Sequence, residues 1–140
     1  ILLVEDNPGD IRLVQRIFSK LTINPQIDIA TDGVEALKYL HNAMTVIESS
    51  LPDFVLLDLN LPKKDARQVL SEIKQHPKLK HIPVMVLTSS RSDGDILSSY
   101  QAHANAYVVK PMNFEDFAKV GKAIEDFWFQ SSQLPTSVSH

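Results

Sequence analysis

Five short apolar runs alternate without exception with five longer segments of helical period, and that alternation limits the fold more than anything else in the chain. The runs at 1–4, 27–30, 54–59, 84–87 and 106–109 are rich in Leu, Ile, Val and Ala and are of strand length. Helices are predicted over 10–21, 34–47, 66–75, 93–101 and 114–130. In the first of these Ile11, Val14, Phe18 and Leu21 recur at helical spacing behind Pro8, a residue whose fixed φ suits a first turn. Strands that each feed a helix before the next strand must run parallel, in a sheet covered on both faces. The connections are short and marked by Pro or Gly. A single α/β domain is therefore expected over 1–130, followed by a flexible tail at 131–140, where periodicity stops.

Composition narrows the chemistry. The 140 residues are enough to bury one real core and too few for two catalytic domains. The chain has no cysteine, which excludes a disulfide scaffold, a thiol nucleophile and a cysteine-ligated zinc, and fits a reducing cytoplasm. A net charge of −3 speaks against nucleic acid as a partner. No apolar run approaches the ~20 residues of a membrane span, so no membrane role is expected. No signal peptide is visible, and a few residues are expected to precede Ile1, which begins directly in an apolar run.

In open α/β sheets ligands bind beyond the carboxyl ends of the strands. The unusual polar residues of this sequence fall there. The first strand runs into Glu5 and Asp6, the fourth into Thr88, Ser89 and Ser90, and the fifth into Lys110 and Pro111. The third, in "FVLLDLNLPKK", meets a lone acid, Asp58, followed by Asn60. An unpaired buried charge costs several kcal/mol, so a strand that only filled a core would have no use for Asp58. With strand order 2-1-3-4-5 these groups converge, and three carboxylates share one small site with one lysine. Acids so close repel unless a cation neutralises them, and Mg²⁺ with its oxygen ligands suits the set. A carboxylate is a competent nucleophile toward phosphorus, and cation, ammonium and hydroxyl spread the charge of the transferring group.

The segments "LLVEDNPGD", "VLLDLNLPKKD", "VLTSS" and "AYVVKP" together resemble the receiver domain of two-component response regulators over residues 1 to about 130. The resemblance implies a flavodoxin-like (βα)5 fold and a phosphoacceptor signalling protein rather than a turnover enzyme. It implies Asp58 as phosphoacceptor, Glu5 and Asp6 as the acidic pair for Mg²⁺, and the Asn60 carbonyl as a further ligand. Thr88, with Ser89 beside it, becomes the switch hydroxyl, Lys110 the phosphate-pairing lysine, and Tyr107 the aromatic whose rotamer reports phosphorylation. The partner implied is a sensor histidine kinase. The details "EDNPGDIRLV", "LNLPKKD" and "HANAY" are similar to regulators paired with bacterial and cyanobacterial phytochrome kinases.

The sequence departs from the common receiver pattern at three places. Glu5 stands where many receivers have a second aspartate; Ala66 follows Asp65 where a glycine is common, which would strain a positive-φ backbone; and His103 stands where a glycine often lies. Each site residue also has a plainer reading: Glu5 and Asp6 as negative charge at a helix start, Asp58 as an acid merely paired with Lys110, Thr88 and Ser89 as turn formers. A Lys-Pro pair after an apolar strand suggests a cis bond at Pro111 that aims Lys110 inward. The five histidines show no ligand spacing and are read as surface or structural residues. A haloacid-type phosphatase needs an acid where Asn60 stands, and "EDNPGD" is no phosphate loop for a flavin. The remaining rival is a phosphorylation-independent interaction module on the same fold.

The last helix suggests a homodimer. Phe117, Val120, Ile124, Phe127 and Trp128 form a stripe that suits packing on the sheet, while Phe129 lies about 100° further round from Trp128 in an α-helix. The triplet Phe127, Trp128 and Phe129 is then too wide for one domain to bury. A two-fold contact through the fourth helix, fifth strand and fifth helix is expected to cover it.

Overall fold

The computed structural model describes residues 1–46 and 51–131. In chain order it contains β1 (Leu2–Val4), α1 (Pro8–Ser19), β2 (Asp28–Ala30), α2 (Gly33–Val46), β3 (Val55–Leu57), α3 (Ala66–Gln75), β4 (Val84–Thr88), α4 (Asp93–Gln101), β5 (Ala106–Val109) and α5 (Phe114–Ile124). A π-helical segment, Glu125–Ser131, continues α5. Of the tail expected at 131–140, Ser131 instead ends the π-helical segment; positions 132–140, and position 47, expected at the end of α2, lie outside the described residues.

The strands form one parallel sheet in the order β2-β1-β3-β4-β5. Side chains alternate across it, as the period of a strand requires. Leu2, Val4, Val55, Leu57, Val84 and Val86 point to one face, where Leu40 of α2 and Val69, Leu70 and Ile73 of α3 cover them. Leu3, Leu56, Met85 and Leu87 point to the other, against Val14, Ile17 and Phe18 of α1 and Phe117 and Ile124 of α5. Both faces are dry, which is why the strands read as continuous apolar runs rather than alternating ones. This is the expected flavodoxin-like α/β architecture.

All five described α-helices start on side-chain caps; at α2 Asp32 accepts the Glu35 N–H at 2.8 Å. Asn7, Asp65, Ser92 and Asn113 accept the backbone N–H of Asp10, Arg67, Asp95 and Asp116 respectively. These caps satisfy donors that a helix start leaves free, and they fix where each helix leaves the sheet. At Gly121 an added Cβ would lie 2.5 Å from Ile17 Cγ2, so only glycine permits the approach of α5 to α1. The described histidines are exposed or half-buried, and His41 and His76 approach each other with ring centroids 6.1 Å apart.

The end of the last helix differs from expectation. An α-helix to 130 would turn Phe129 away from the core and Phe127 toward it. From Glu125 onward the backbone instead winds as a π-helix, whose i→i+5 pattern turns less per residue. Phe129 therefore swings back onto Phe54 at 5.9 Å between ring centroids, beside Trp128 at 5.2 Å, while Phe127 is 59% exposed. The buried Glu125 carboxylate anchors this turn by accepting the Ile23 N–H at 3.2 Å and pairing with Lys122 at 3.1 Å.

Candidate functional site

The sheet hydrogen-bond pattern continues one residue past three strand ends, and so delivers the polar groups in register. Glu5 N–H donates to Ala30 O, Asp58 N–H to Val4 O, and Lys110 N–H to Thr88 O at 2.7 Å. Glu5, Asp58 and Thr88 are buried, while Asp6 lies exposed at the rim. The sequence-derived cluster is thus assembled by β1, β3, β4 and β5 at one end of the sheet.

Lys110 stands at its centre. Its ammonium donates to Glu5 Oε1, to Asp10 Oδ2 at 2.8 Å and to Asp58 Oδ2 at 2.8 Å. An ammonium has three N–H groups, and three carboxylates take them. Burial works against the charge on Lys110, but bonds to Asp10, Asp58 and Glu5 outweigh it and raise its pKa. Burial, and then the neighbouring Asp58, push Glu5 up to about 8, against an ordinary 4.5. Asp58 moves the other way: burial opposes its charge, yet bonds from Glu5, Lys110 and the Asn60 N–H at 3.1 Å hold it below the usual carboxylate range. The two shifts run in opposite directions: burial disfavours charge on Glu5, while the bonds it accepts favour charge on Asp58.

Carboxylate oxygens of Glu5, Asp6 and Asp58 lie within 4.8 Å of one another. Hard oxygen donors at that spacing, partly buried and in excess over the one lysine among them, fit a divalent cation of the Mg²⁺ or Mn²⁺ kind. Asn60 is exposed and directs its N–H, rather than its side chain, to Asp58.

Around the cluster, the buried Thr88 hydroxyl accepts the Ser90 N–H at 3.4 Å, and Ser89 is exposed. The Tyr107 hydroxyl donates to Ser90 O at 3.0 Å, tying β5 to the loop after β4. Ser90 Oγ in turn donates to Asp95 Oδ2 at 2.6 Å, and Arg67 of α3 pairs with the same carboxylate at 2.9 Å.

Two expectations are corrected. No cis peptide bond occurs among the described residues, so Lys110–Pro111 is trans, the form favoured by about 0.5–1 kcal/mol even before proline. Lys110 reaches the carboxylates from a trans bond. Ala66 bears no strain, because Asp65 caps α3 and Ala66 is its first residue; the positive φ falls on Lys63 instead, at 68°. Sequence reasoning also missed Asp10, Asp95 and Arg67. A signal for Asp10 was present, since the Asn7-Pro8 helix start places it in the first turn of a helix that leaves the sheet directly after Glu5 and Asp6.

The response regulator receiver domain profile matches residues 1–121. The chain belongs to that family. Response regulator Rcp1 of Synechocystis sp. is 46% identical over 137 residues, spanning 98% of this chain and 93% of that protein. The crystal structure of the Mn(2+)-bound form of Rcp1 matches with a TM-score of 0.85 at 44% identity, over 96% of each chain. The phosphorylated cyanobacterial phytochrome response regulator RcpA matches with a TM-score of 0.88 at 44% identity, also over 96% of each chain. The probable methanogenesis regulatory protein FilR2 of Methanothrix harundinacea is 43% identical over 137 residues, 96% of this chain and 86% of that one. Membership of that family is consistent with phosphoacceptor signalling.

Proposed function

We propose that Asp58 of this receiver domain accepts a phosphoryl group from the phosphohistidine of a sensor histidine kinase of the phytochrome type. The observation that carries the reading is the buried Asp58 carboxylate, held at a strand end by Lys110 at 2.8 Å and by the Asn60 N–H at 3.1 Å. An Asp58 oxygen attacks phosphorus, the phosphorus–nitrogen bond breaks, and the histidine imidazole leaves with its electron pair. Glu5, Asp6 and Asp58 would hold Mg²⁺, with the Asn60 carbonyl completing the protein ligands. A cation there supplies charge neutralisation for the phosphoryl oxygens. Lys110 donates to the same oxygens. The chain assists its own phosphorylation and dephosphorylation and turns over no other substrate.

Thr88 and Tyr107 are the switch in this reading. A phosphate on Asp58 offers the Thr88 hydroxyl, with Ser89 beside it, a charge-assisted acceptor that draws the β4–α4 loop inward. That movement carries Ser90 away from the Tyr107 hydroxyl and frees the ring. The face of α4, β5 and α5 then reads out the state by protein contact, and a homodimer forms on it. Leu97 and Tyr100 of α4, 59% and 47% exposed, are apolar groups available to such a contact. The likeness to Rcp1 and RcpA supports a phytochrome-type kinase, while FilR2 shows that receivers of equal similarity bear other regulatory names. Among the described residues no helix is long and apolar enough to cross a membrane, and we place the exchange in the cytoplasm.

Acetyl phosphate tests the reading without a kinase. Intact mass of the wild type should gain one phosphate in Mg²⁺ and none in excess chelator, and Asp58→Asn should gain none. Equal labelling of Asp58→Asn would remove Asp58 from the role.

A further inference from the structure

Asp10 takes one of the three ammonium bonds of Lys110, yet neither accepts phosphate nor belongs to the cation's donor set. Its position is fixed by the backbone. Asn7 caps α1 by accepting the Asp10 N–H at 3.0 Å, and Pro8 holds the first helical residue. Gly9 leaves that cap uncrowded, since an added Cβ would lie 3.2 Å from Asn7 Oδ1. A short side chain on so constrained a turn has few directions open to it, and the Asp10 carboxylate points at Lys110 Nζ. Yet Asp10 stands apart from the oxygens within reach of a shared cation, which are those of Glu5, Asp6 and Asp58.

The three acceptors of Lys110 are therefore unequal. Glu5 and Asp58 belong to the cation's donor set, and once phosphorylated Asp58 is an acyl phosphate whose charge has moved outward onto the phosphoryl oxygens. Asp10 alone among the three lies outside the cation's donor set and takes no part in the phosphoryl chemistry, so its bond to the lysine is the one that neither event draws on. We propose that Asp10 is a positioning residue: it holds the Lys110 ammonium over the site while one N–H passes from the Asp58 carboxylate to an oxygen of the arriving phosphoryl group. This inference rests on the reading of Asp58 as phosphoacceptor. The plainer account, an acid that only favours the first turn of α1, needs no lysine and predicts an effect on stability alone.

Beryllofluoride, a tetrahedral mimic that binds a carboxylate without group transfer, separates the two. Its affinity in saturating Mg²⁺, and the affinity for Mg²⁺ itself, are measured by calorimetry on the full chain. The set comprises wild type, Asp10→Asn, Asp10→Ser, Asp10→Glu, Lys110→Ala and the double variant Asp10→Asn/Lys110→Ala. Asp10→Asn and Asp10→Ser should weaken beryllofluoride about tenfold, the scale of one charge-assisted hydrogen bond, and weaken Mg²⁺ much less. Asp10→Glu should recover part of the loss. In the Lys110→Ala background Asp10→Asn should add nothing, because the group it positions is gone. Unchanged beryllofluoride affinity in both Asp10→Asn and Asp10→Ser, an equal loss for Mg²⁺, or a full additional loss without Lys110 would each overturn the role. A wild type that binds no beryllofluoride would instead overturn the reading of Asp58, and the inference with it.

Discussion

At the scale of single residues, Glu5 sets a proton against a cation. Its folded pKa of about 8 lies above the ordinary 4.5, because burial and Asp58 disfavour its charge. The folded state thus holds a proton that the unfolded chain releases. The stabilisation from this group is full below pH 4.5 and declines as pH rises toward about 8, where it is gone. Cation binding must displace the same proton. The apparent affinity for Mg²⁺ should then rise steeply between about pH 6 and 8, with proton release, and level off above. Calorimetric titration in buffers of different ionisation enthalpy measures both, and Glu5→Gln should flatten the profile. A second residue carries a backbone cost: His103 sits at φ 73°, in the left-handed region. Relief of about 1–2 kcal/mol there, less the ~0.4–1 kcal/mol entropy that glycine adds to the unfolded chain, predicts that His103→Gly stabilises by up to about 1 kcal/mol in urea unfolding. The position was legible as one where glycine is usual; that His103 adopts the left-handed conformation there is a finding of the structure.

At the scale of elements, the strands and helix starts were legible and the last helix end was not. Continuous apolar runs such as 54–59 mark strands buried on both faces, and Asn7-Pro8, Asp65, Ser92 and Asn113 are recognisable caps. The π-helical turn is another matter. It depends on Glu125 reaching the Ile23 N–H, a contact across 102 residues that no local pattern contains. Placing Phe129 on Phe54 and leaving Phe127 outside has a measurable consequence. Phe129→Ala should cost about 2 kcal/mol, below the range for a fully buried phenylalanine because Phe129 is half-buried, while Phe127→Ala should stay within about 0.5 kcal/mol. Equal costs in thermal unfolding would contradict the π-helical placement. The loop after β4 makes its own prediction. Thr88→Ala should still take up phosphate from acetyl phosphate yet lose the phosphorylation-linked change in partner affinity; a full change retained would disconnect Thr88 from the readout.

At the scale of the whole molecule, the order β2-β1-β3-β4-β5 brings to one end of the sheet groups that the sequence separates by as many as 105 residues, such as Glu5 and Lys110. The strand ends named Glu5, Asp6, Asp58 and Lys110 because a parallel sheet leaves its chemistry there. Asp10 was passed over because it sits past the strand end, in the first turn of α1, and Arg67 and Asp95 because their pairing depends on how α3 and α4 lean together. The homodimer on α4, β5 and α5 belongs to this scale too. Sedimentation of the wild type with and without phosphodonor should show a dimer at tens of micromolar. Leu97→Glu in the middle of the exposed α4 face should abolish it. A wild type monomeric in both states would leave that face for another partner. The central claim concerns one atom of one residue, and borohydride tests it directly, because hydride reduces an acyl phosphate to an alcohol and so converts a phosphorylated aspartate to homoserine. After treatment with acetyl phosphate and Mg²⁺, reduction and peptide mapping should find homoserine at position 58. Homoserine at position 6 or 10 with position 58 unchanged would contradict it.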